Sequence, residues 1–395
     1  MSWSHRADSC IAQGALTNSK HRNMLIRGVY PTHVSRGHGC YLYDTDEIKY
    51  LDYICGLGAN FLGYGAEKVN KAIVTALYGG YSHSLPTTQE VITAEKLKEI
   101  FPFVDRWKFL KSGSEACAAS IKFARAATGR TNIISHGYHG IADMFVSLTE
   151  PHTGVPSDPN IFKYTALEDV NEQTAAVIIE PVIADDTPEN VQWLKDLRAR
   201  CDKVGAMLIF DEVITGFRYK KYAVSNCYGI TPDLIVIGKA MANGMPLAAV
   251  GGKARIMDDT QVFVSSTYAG ERLSLVACNA VCDALLRDSE YNLNHLWQEG
   301  QDFIDKFNAF PGKVKLKGYP TRGIVDGPET DVALFMGEMA KAKILFHKSW
   351  FYTWGHIAEK DSTLEISRIV KQQIEDGLEM KYPMPESPFS MGVRK

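Results

Sequence analysis

A lysine and an aspartate, each directly after an apolar run, are the residues of this chain best suited to covalent chemistry. Asp211 follows the run Ala206–Phe210, and Lys239 comes 28 residues later, just after the run Leu234–Ile237. Short apolar runs of this kind predict buried strands, so both side chains would stand at strand ends. A lysine amine held there can form a Schiff base with an aldehyde, and a carboxylate can keep a ring nitrogen protonated.

These two tasks are the ones that pyridoxal phosphate (PLP) requires of a protein. Its aldehyde needs an amine, and its pyridine ring accepts electrons from a substrate's α-carbon when the ring nitrogen is protonated. The pair therefore predicts a PLP site with Lys239 and Asp211 as catalytic residues. The alternative is two solvated polar residues at strand ends, which are common in α/β proteins.

Three other polar segments are suited to the same site. The segment Lys111–Glu115 lies between a predicted strand and a predicted helix, where hydroxyls and free amides can hold a phosphate. Tyr138 follows a strand and could lie flat on a pyridine ring, and the neighbouring His139 could equally be a structural loop residue. The segment Ser265–Thr267 offers hydroxyls after another strand.

The order of predicted elements indicates two domains. From about residue 107 to residue 286, strand-like and helix-like segments alternate, which predicts a mostly parallel sheet covered by helices. After about residue 294 a long helix precedes short strands and further helices. We therefore predict an α/β protein with a large domain at residues 51–293. Residues 294–395 would form a smaller α+β domain, with residues 1–50 packing on it.

Composition excludes several classes of protein. Lysine plus arginine number 43 against 46 aspartates and glutamates, and this balance gives no general field for nucleic acid or an anionic membrane. No apolar run approaches the ~20 residues of a membrane-spanning helix. The eight cysteines are scattered without a Cys-x-x-Cys pair, which predicts reduced thiols in a cytoplasmic protein.

The motifs occur in the order found in one known family. They are Lys111–Ala116, Tyr138–Gly140, Glu180-Pro181, Asp211–Arg218, Gly238-Lys239 and Thr267. Over roughly residues 30–378 the chain resembles the class III, fold-type I PLP-dependent aminotransferases. The segments Gly137–Phe145 and Asp211–Arg218 are most like those of the glutamate-1-semialdehyde 2,1-aminomutases within that family.

The resemblance implies a role for each matched residue around the cofactor ring. Lys239 would bind the cofactor covalently, and Asp211 would face its ring nitrogen. Val213 would pack under the ring and Tyr138 over it, with His139 beside them.

The resemblance also implies how the phosphate is held. Ser112, Gly113 and Ser114 would bind it from one subunit, and Thr267 would reach it from the other subunit of a homodimer. Glu180 would lie near the cofactor and support the residues that touch it.

The substrate side departs from the aminomutase pattern. Arg22 falls where a substrate carboxylate would be bound, but Leu57 replaces an expected aromatic residue and Tyr352 stands where an acid is expected. The loop Leu148–Phe162 is shorter than expected of a gating loop, and Asp185 with Asp186 replaces an expected asparagine. The cofactor residues are kept while the substrate pocket is changed.

We therefore predict a PLP-dependent enzyme of the aminotransferase family that acts on a small amine or amino acid. After its release by the incoming amine, Lys239 would move a proton at the α-carbon as general base and acid. Aminomutation of glutamate-1-semialdehyde and α-decarboxylation are alternatives on the same scaffold. A PLP-binding subunit without turnover is the non-enzymatic alternative, and the intact pair of Lys239 and Asp211 argues against it.

Overall fold

The computed structural model describes residues 2–148, 154–156, 158–183, 186–259 and 261–385. Residues 149–153 and 157 of the predicted gating loop, and Asp185, lie outside these residues. The chain forms two compact units. The first contains residues 1–58, 62–65 and 294–395, and the second contains residues 59–61 and 66–293.

Strands and helices are numbered here in chain order within the described residues. The strands are β1 (Val34–His38), β2 (Tyr41–Asp44), β3 (Lys49–Asp52), β4 (Arg106–Leu110), β5 (Asn132–His136), β6 (Ile161–Lys163), β7 (Thr174–Ile179), β8 (Met207–Glu212), β9 (Leu234–Ile237), β10 (Ala248–Gly252), β11 (Lys315–Tyr319), β12 (Arg322–Asp326), β13 (Ile344–Leu345) and β14 (Ser349–Phe351). The helices are α1 (Trp3–Cys10), α2 (Cys55–Gly58), α3 (Glu67–Leu77), α4 (Thr88–Ile100), α5 (Gly113–Thr128), α6 (Asp143–Val146), α7 (Pro188–Val204), α8 (Ala254–Met257), α9 (Arg272–Arg287), α10 (Leu293–Ala309), α11 (Glu329–Lys341), α12 (Trp354–Ile357) and α13 (Lys360–Glu375).

The second unit is built on a seven-stranded sheet of order β4-β10-β9-β8-β7-β5-β6. The pairs from β6 across to β9 are parallel, and β10 runs antiparallel to both β9 and β4. Every residue of β7, β8 and β9 is buried. Strands covered on both faces need such continuous apolar runs. The alternation of strand-like and helix-like segments predicted a mostly parallel sheet, which is confirmed.

Local capping signals fix the helices that follow these strands. Ser112 and Glu115 form a capping box at the start of α5, and Gly129 ends that helix in a left-handed conformation. In α7, Thr187 caps the helix, Pro188 opens it, and Gly205 terminates it. The start of α5 is therefore set by its own sequence, directly after β4.

The first unit contains a four-stranded sheet β1-β2-β3-β13 and a three-stranded sheet β11-β12-β14. Strand β3 pairs in parallel with β13, so that Leu51 lies opposite Ile344. The N-terminal part of the first unit extends to residue 58, whereas the sequence analysis placed the boundary of this segment at residue 50. The ring of Tyr53 stacks on that of Phe346 at 4.5 Å in the core. Among the described residues, no helix is long and apolar enough to cross a membrane.

Candidate active site

Two neighbouring strands of the second unit carry the two residues with which the sequence analysis began. Strands β8 and β9 are parallel, and Asp211 lies opposite Val236 in their register. Lys239 follows three residues after Val236, so both side chains stand at the same, carboxyl-terminal edge of the sheet. Ligands of open α/β sheets bind at this edge.

A cavity of about 300 Å³ opens at this edge. Nine of the predicted site residues line it: Ser112, Gly113, Ser114, Tyr138, His139, Glu180, Asp211, Val213 and Lys239. Ala59, Lys111, Cys117 and Ile214 also line the cavity, and sequence reasoning gave them no role.

Asp211 is buried and is held by three donors. His139 Nδ1 lies 2.8 Å from Asp211 Oδ2, and the thiol of Cys117 donates to the same oxygen at 3.3 Å. The backbone N–H of Val213 donates to Oδ1 at 3.1 Å. Burial, with Asp211 beside it, raises the pKa of Cys117 well above its usual value, so the thiol keeps its proton and can donate it. The carboxylate is thus fixed in position before any ligand arrives.

Cys117 is the residue of this cluster that sequence reasoning missed. It is fully buried on α5, four residues after Gly113. Residues four apart lie on the same face of a helix, so Cys117 and the segment predicted to bind phosphate face the same way. The four-residue spacing between Gly113 and Cys117 was therefore the sequence signal that could have identified Cys117 as a site residue.

The start of α5 offers a place for an anion. Glu115 Oε2 accepts the backbone N–H groups of Lys111 and Ser112 at 2.9 Å each. The first-turn amides of a helix have no acceptor within the helix, which leaves those of Gly113 and Ser114 for a ligand. A Cβ at Gly113 would lie 3.0 and 3.1 Å from the two methyl groups of Val213, so Val213 would have to shift to accept a side chain at this position.

Backbone conformation places the aromatic residue and the lysine. The Tyr138 N–H donates to Glu180 Oε1 at 2.8 Å, and Gly137 before it has φ of +106°. Lys239 itself adopts φ of +41°, a conformation that non-glycine residues seldom adopt. Such strain persists only where the surroundings impose it, and it is concentrated at functional sites.

Two predicted residues do not line this cavity. Thr267 is exposed in the second unit, in the segment before α9. Arg22 belongs to the first unit, where its Nη1 forms an ion pair with Asp8 Oδ1 at 2.8 Å. Tyr352 is fully buried in the first unit, and Leu57 lies there in α2 with φ of +59°.

Comparison with known proteins identifies the family. The model of the family described as aminotransferase class-III matches residues 26–318. The glutamate-1-semialdehyde 2,1-aminomutase of Desulfotalea psychrophila is 33% identical to this chain over 327 residues. The match covers 76% of this chain and 76% of that enzyme. The chain belongs to the class-III aminotransferase family. A second class-III relative, the enzyme of the same name from Syntrophobacter fumaroxidans, is 32% identical over 77% of this chain and 76% of its own.

Solved structures show the same fold. The FumI protein of Sphingopyxis sp. MTA144 has a TM-score of 0.87 at 23% identity, and the match covers 95% of this chain and 97% of that one. An omega-transaminase from Sphaerobacter thermophilus has a TM-score of 0.82 at 22% identity, covering 94% and 97% of the two chains. The predicted fold type I is confirmed.

Class-III aminotransferases use PLP, and the residues at the cavity fit that cofactor. Asp211 is a buried acid that a histidine, a thiol and an amide contact, and a protonated ring nitrogen would give it a positively charged partner. The start of α5, which approaches Val213 closely at Gly113, offers first-turn amides to a phosphate. Lys239 lines the same cavity, and its amine would be available to the aldehyde.

Proposed function

We propose that this class-III aminotransferase acts on a small amine or amino acid, with Lys239 and Asp211 as its catalytic residues. One observation carries the assignment. Both residues stand at the same edge of two adjacent parallel strands and line one cavity with the start of α5. In that arrangement, Lys239 could bind an aldehyde, Asp211 a ring nitrogen and the start of α5 a phosphate of the same molecule.

PLP, when bound, supplies an aldehyde that joins amines covalently and a ring that takes up electrons. Lys239 Nζ would hold the aldehyde carbon until an amine replaces it, and would then take and return the proton at the substrate's α-carbon. Asp211 would keep the ring nitrogen protonated, with His139 and Cys117 holding its carboxylate in place.

The remaining residues of the cavity would position the cofactor. The amides and hydroxyls of Ser112–Ser114 would bind the phosphate at the start of α5. Tyr138 and Val213 would enclose the ring from its two faces, and Glu180 would hold the Tyr138 backbone where it lies.

A screen of amine donors on the PLP-loaded enzyme, followed by cofactor absorbance, tests the proposal. We expect an absorbance change with at least one class of amine, and none in the Lys239→Ala variant. Product analysis then separates transamination from α-decarboxylation. If no amine changes the absorbance, the protein binds PLP without turnover and the proposed function fails.

Aminomutation of glutamate-1-semialdehyde is the second candidate, because the curated relatives named above carry that name. We nevertheless predict poor activity, with kcat/KM below about 10⁴ M⁻¹s⁻¹. That reaction must retain a diamino intermediate, which requires a lid and a carboxylate clamp. Here Arg22 already pairs with Asp8, and Tyr352 and Leu57 replace the expected residues.

A steady-state assay with glutamate-1-semialdehyde measures this prediction. The best amine from the donor screen serves as the positive control for the same preparation. A kcat/KM in the ordinary enzymatic range would assign the aminomutase reaction to this chain.

We further propose a homodimer in which Thr267 reaches the partner's cofactor. Thr267 is exposed, and so are the apolar side chains of Leu85, Ile141 and Phe263 in the same unit. Large exposed apolar groups of this kind mark interaction surfaces.

We also propose a cytoplasmic location. All eight cysteines fall within the described residues and are free thiols, which is the state expected in a reducing compartment.

We expect Thr267→Val to leave the dimer intact and to weaken PLP binding about tenfold or more, since one hydrogen bond to a charged phosphate is lost. Titration of the apoenzyme with PLP measures the affinity, and analytical ultracentrifugation measures the assembly. Thr231→Val, at another exposed threonine, is the matched control. An active monomer with full PLP occupancy would contradict the proposal.

A further inference from the structure

An ion pair between Lys111 and Glu271 joins the start of α5 to the start of α9. Lys111 Nζ donates to Glu271 Oε2 at 3.0 Å and to Ser274 Oγ at 3.2 Å. The two charged side chains are only 16% and 14% exposed. Both residues belong to the second unit, so the contact lies within one compact body.

The carboxylate of Glu271 is itself attached to the first turn of α9. Glu271 is the N-cap residue of that helix, and it accepts the backbone N–H of Leu273 at 2.6 Å and that of Ser274 at 3.2 Å. Burial would raise the pKa of Glu271, but hydrogen bonds from Ser274 and Lys111 hold that pKa below its usual value. The carboxylate is therefore charged at neutral pH, and it anchors Lys111 to α9.

Lys111 lies at the cavity, directly before the segment predicted to bind the phosphate. It lines the cavity, and its own backbone N–H donates to Glu115 Oε2 at 2.9 Å, next to the capping box that begins α5. One residue is thus attached to α5 through its backbone and to α9 through its side chain. The amides of Gly113 and Ser114 follow within three residues, so the pair holds the turn that presents them.

We propose that the Lys111–Glu271 pair positions the start of α5 for the cofactor's phosphate, which binds tightly only while the pair is intact. This inference rests on the proposed function. Hydrogen bonds weaken steeply when the donor angle departs from linear, so the amides must be held in place before the ligand arrives.

The alternative is that the pair acts on the phosphate through charge alone. The two cases differ in sign for Glu271. Removing a negative charge near an anion strengthens its binding by Coulomb attraction to the remaining cation. If the carboxylate instead holds Lys111 in place, removing that charge weakens phosphate binding.

Titration of the apoenzyme with PLP and with pyridoxal, which lacks the phosphate, separates these cases. We expect Lys111→Met and Glu271→Gln each to weaken PLP binding about tenfold or more, since a charged hydrogen bond is lost. Pyridoxal binding should stay within about twofold, because the contacts to the ring and the aldehyde are unchanged. The double variant should bind PLP no more weakly than the weaker single variant, since both changes break one contact. Lys111→Arg should keep most of the affinity, because a guanidinium also donates to a carboxylate.

Arg198→Met is the matched control, because it breaks an ion pair of similar burial in the same unit. Arg198 Nη1 donates to Asp233 Oδ2 at 2.8 Å, and the side chains are 16% and 19% exposed. Asp233 directly precedes β9, so this pair lies at the amino-terminal edge of the sheet. Its loss should lower the Tm of the apoenzyme but leave the ratio of PLP affinity to pyridoxal affinity unchanged.

Three results would overturn the proposal. Tighter PLP binding by Glu271→Gln than by the wild type would show that the pair acts through charge. Equal losses of PLP and pyridoxal affinity in Lys111→Met would show a general loss of structure. Wild-type PLP affinity in both single variants would show that the pair is not needed. The titrations require no turnover, so inactivity with every amine would defeat the proposed function while the pair is still tested.

Discussion

Lys239→Ala is expected to abolish covalent attachment of PLP and to lower turnover by about 10⁴-fold or more, because in the proposed function this one side chain provides both the covalent link and the proton transfer. Lys239 lines the cavity at the end of β9, and its backbone conformation is one that a lysine adopts only under constraint. Borohydride reduction of the loaded wild type, followed by peptide mass mapping, should find the cofactor on the peptide that contains Lys239.

Two controls make this result specific. Lys195→Ala, at an exposed lysine of α7, should retain both the covalent link and the turnover. Equilibrium dialysis should show that Lys239→Ala still binds PLP noncovalently, since the phosphate-binding start of α5 is unchanged. Label recovered on any other lysine would disprove the assignment.

Asp211→Asn should leave PLP bound but slow proton removal at the α-carbon by about 10³-fold or more. A neutral amide does not favour the protonated ring nitrogen, so the ring becomes a poorer acceptor of electrons. His139 and Cys117 would still contact the side chain at this position, and the cavity should therefore keep its shape. Stopped-flow absorbance of the first half-reaction measures the rate, and dialysis measures the bound cofactor.

Variants of the two supporting residues provide a graded comparison. Cys117→Ala and His139→Ala each remove one donor from the Asp211 carboxylate but keep its charge. Their rates should lie between those of the wild type and Asp211→Asn. A rate near that of the wild type in Asp211→Asn would mean that another group controls the ring nitrogen.

Local signals in the sequence determined the elements of this fold. Continuous apolar runs predicted the buried parallel strands, because strands covered on both faces must be apolar throughout. The capping box of Ser112 with Glu115, and Pro188 at the start of α7, set helix starts through contacts within one turn. These signals also placed Asp211 and Lys239 near the carboxyl ends of β8 and β9, although β8 continues to Glu212, two residues beyond its apolar run.

Only the tertiary structure decided which side chains share an environment. Cys117 comes 94 residues before Asp211, and the contact between them depends on the packing of α5 against the sheet. The family resemblance suggested that Arg22 binds a substrate carboxylate, but in the folded chain Arg22 forms an ion pair with Asp8. Burial and charge compensation depend on neighbours distant in sequence, and local patterns do not specify them.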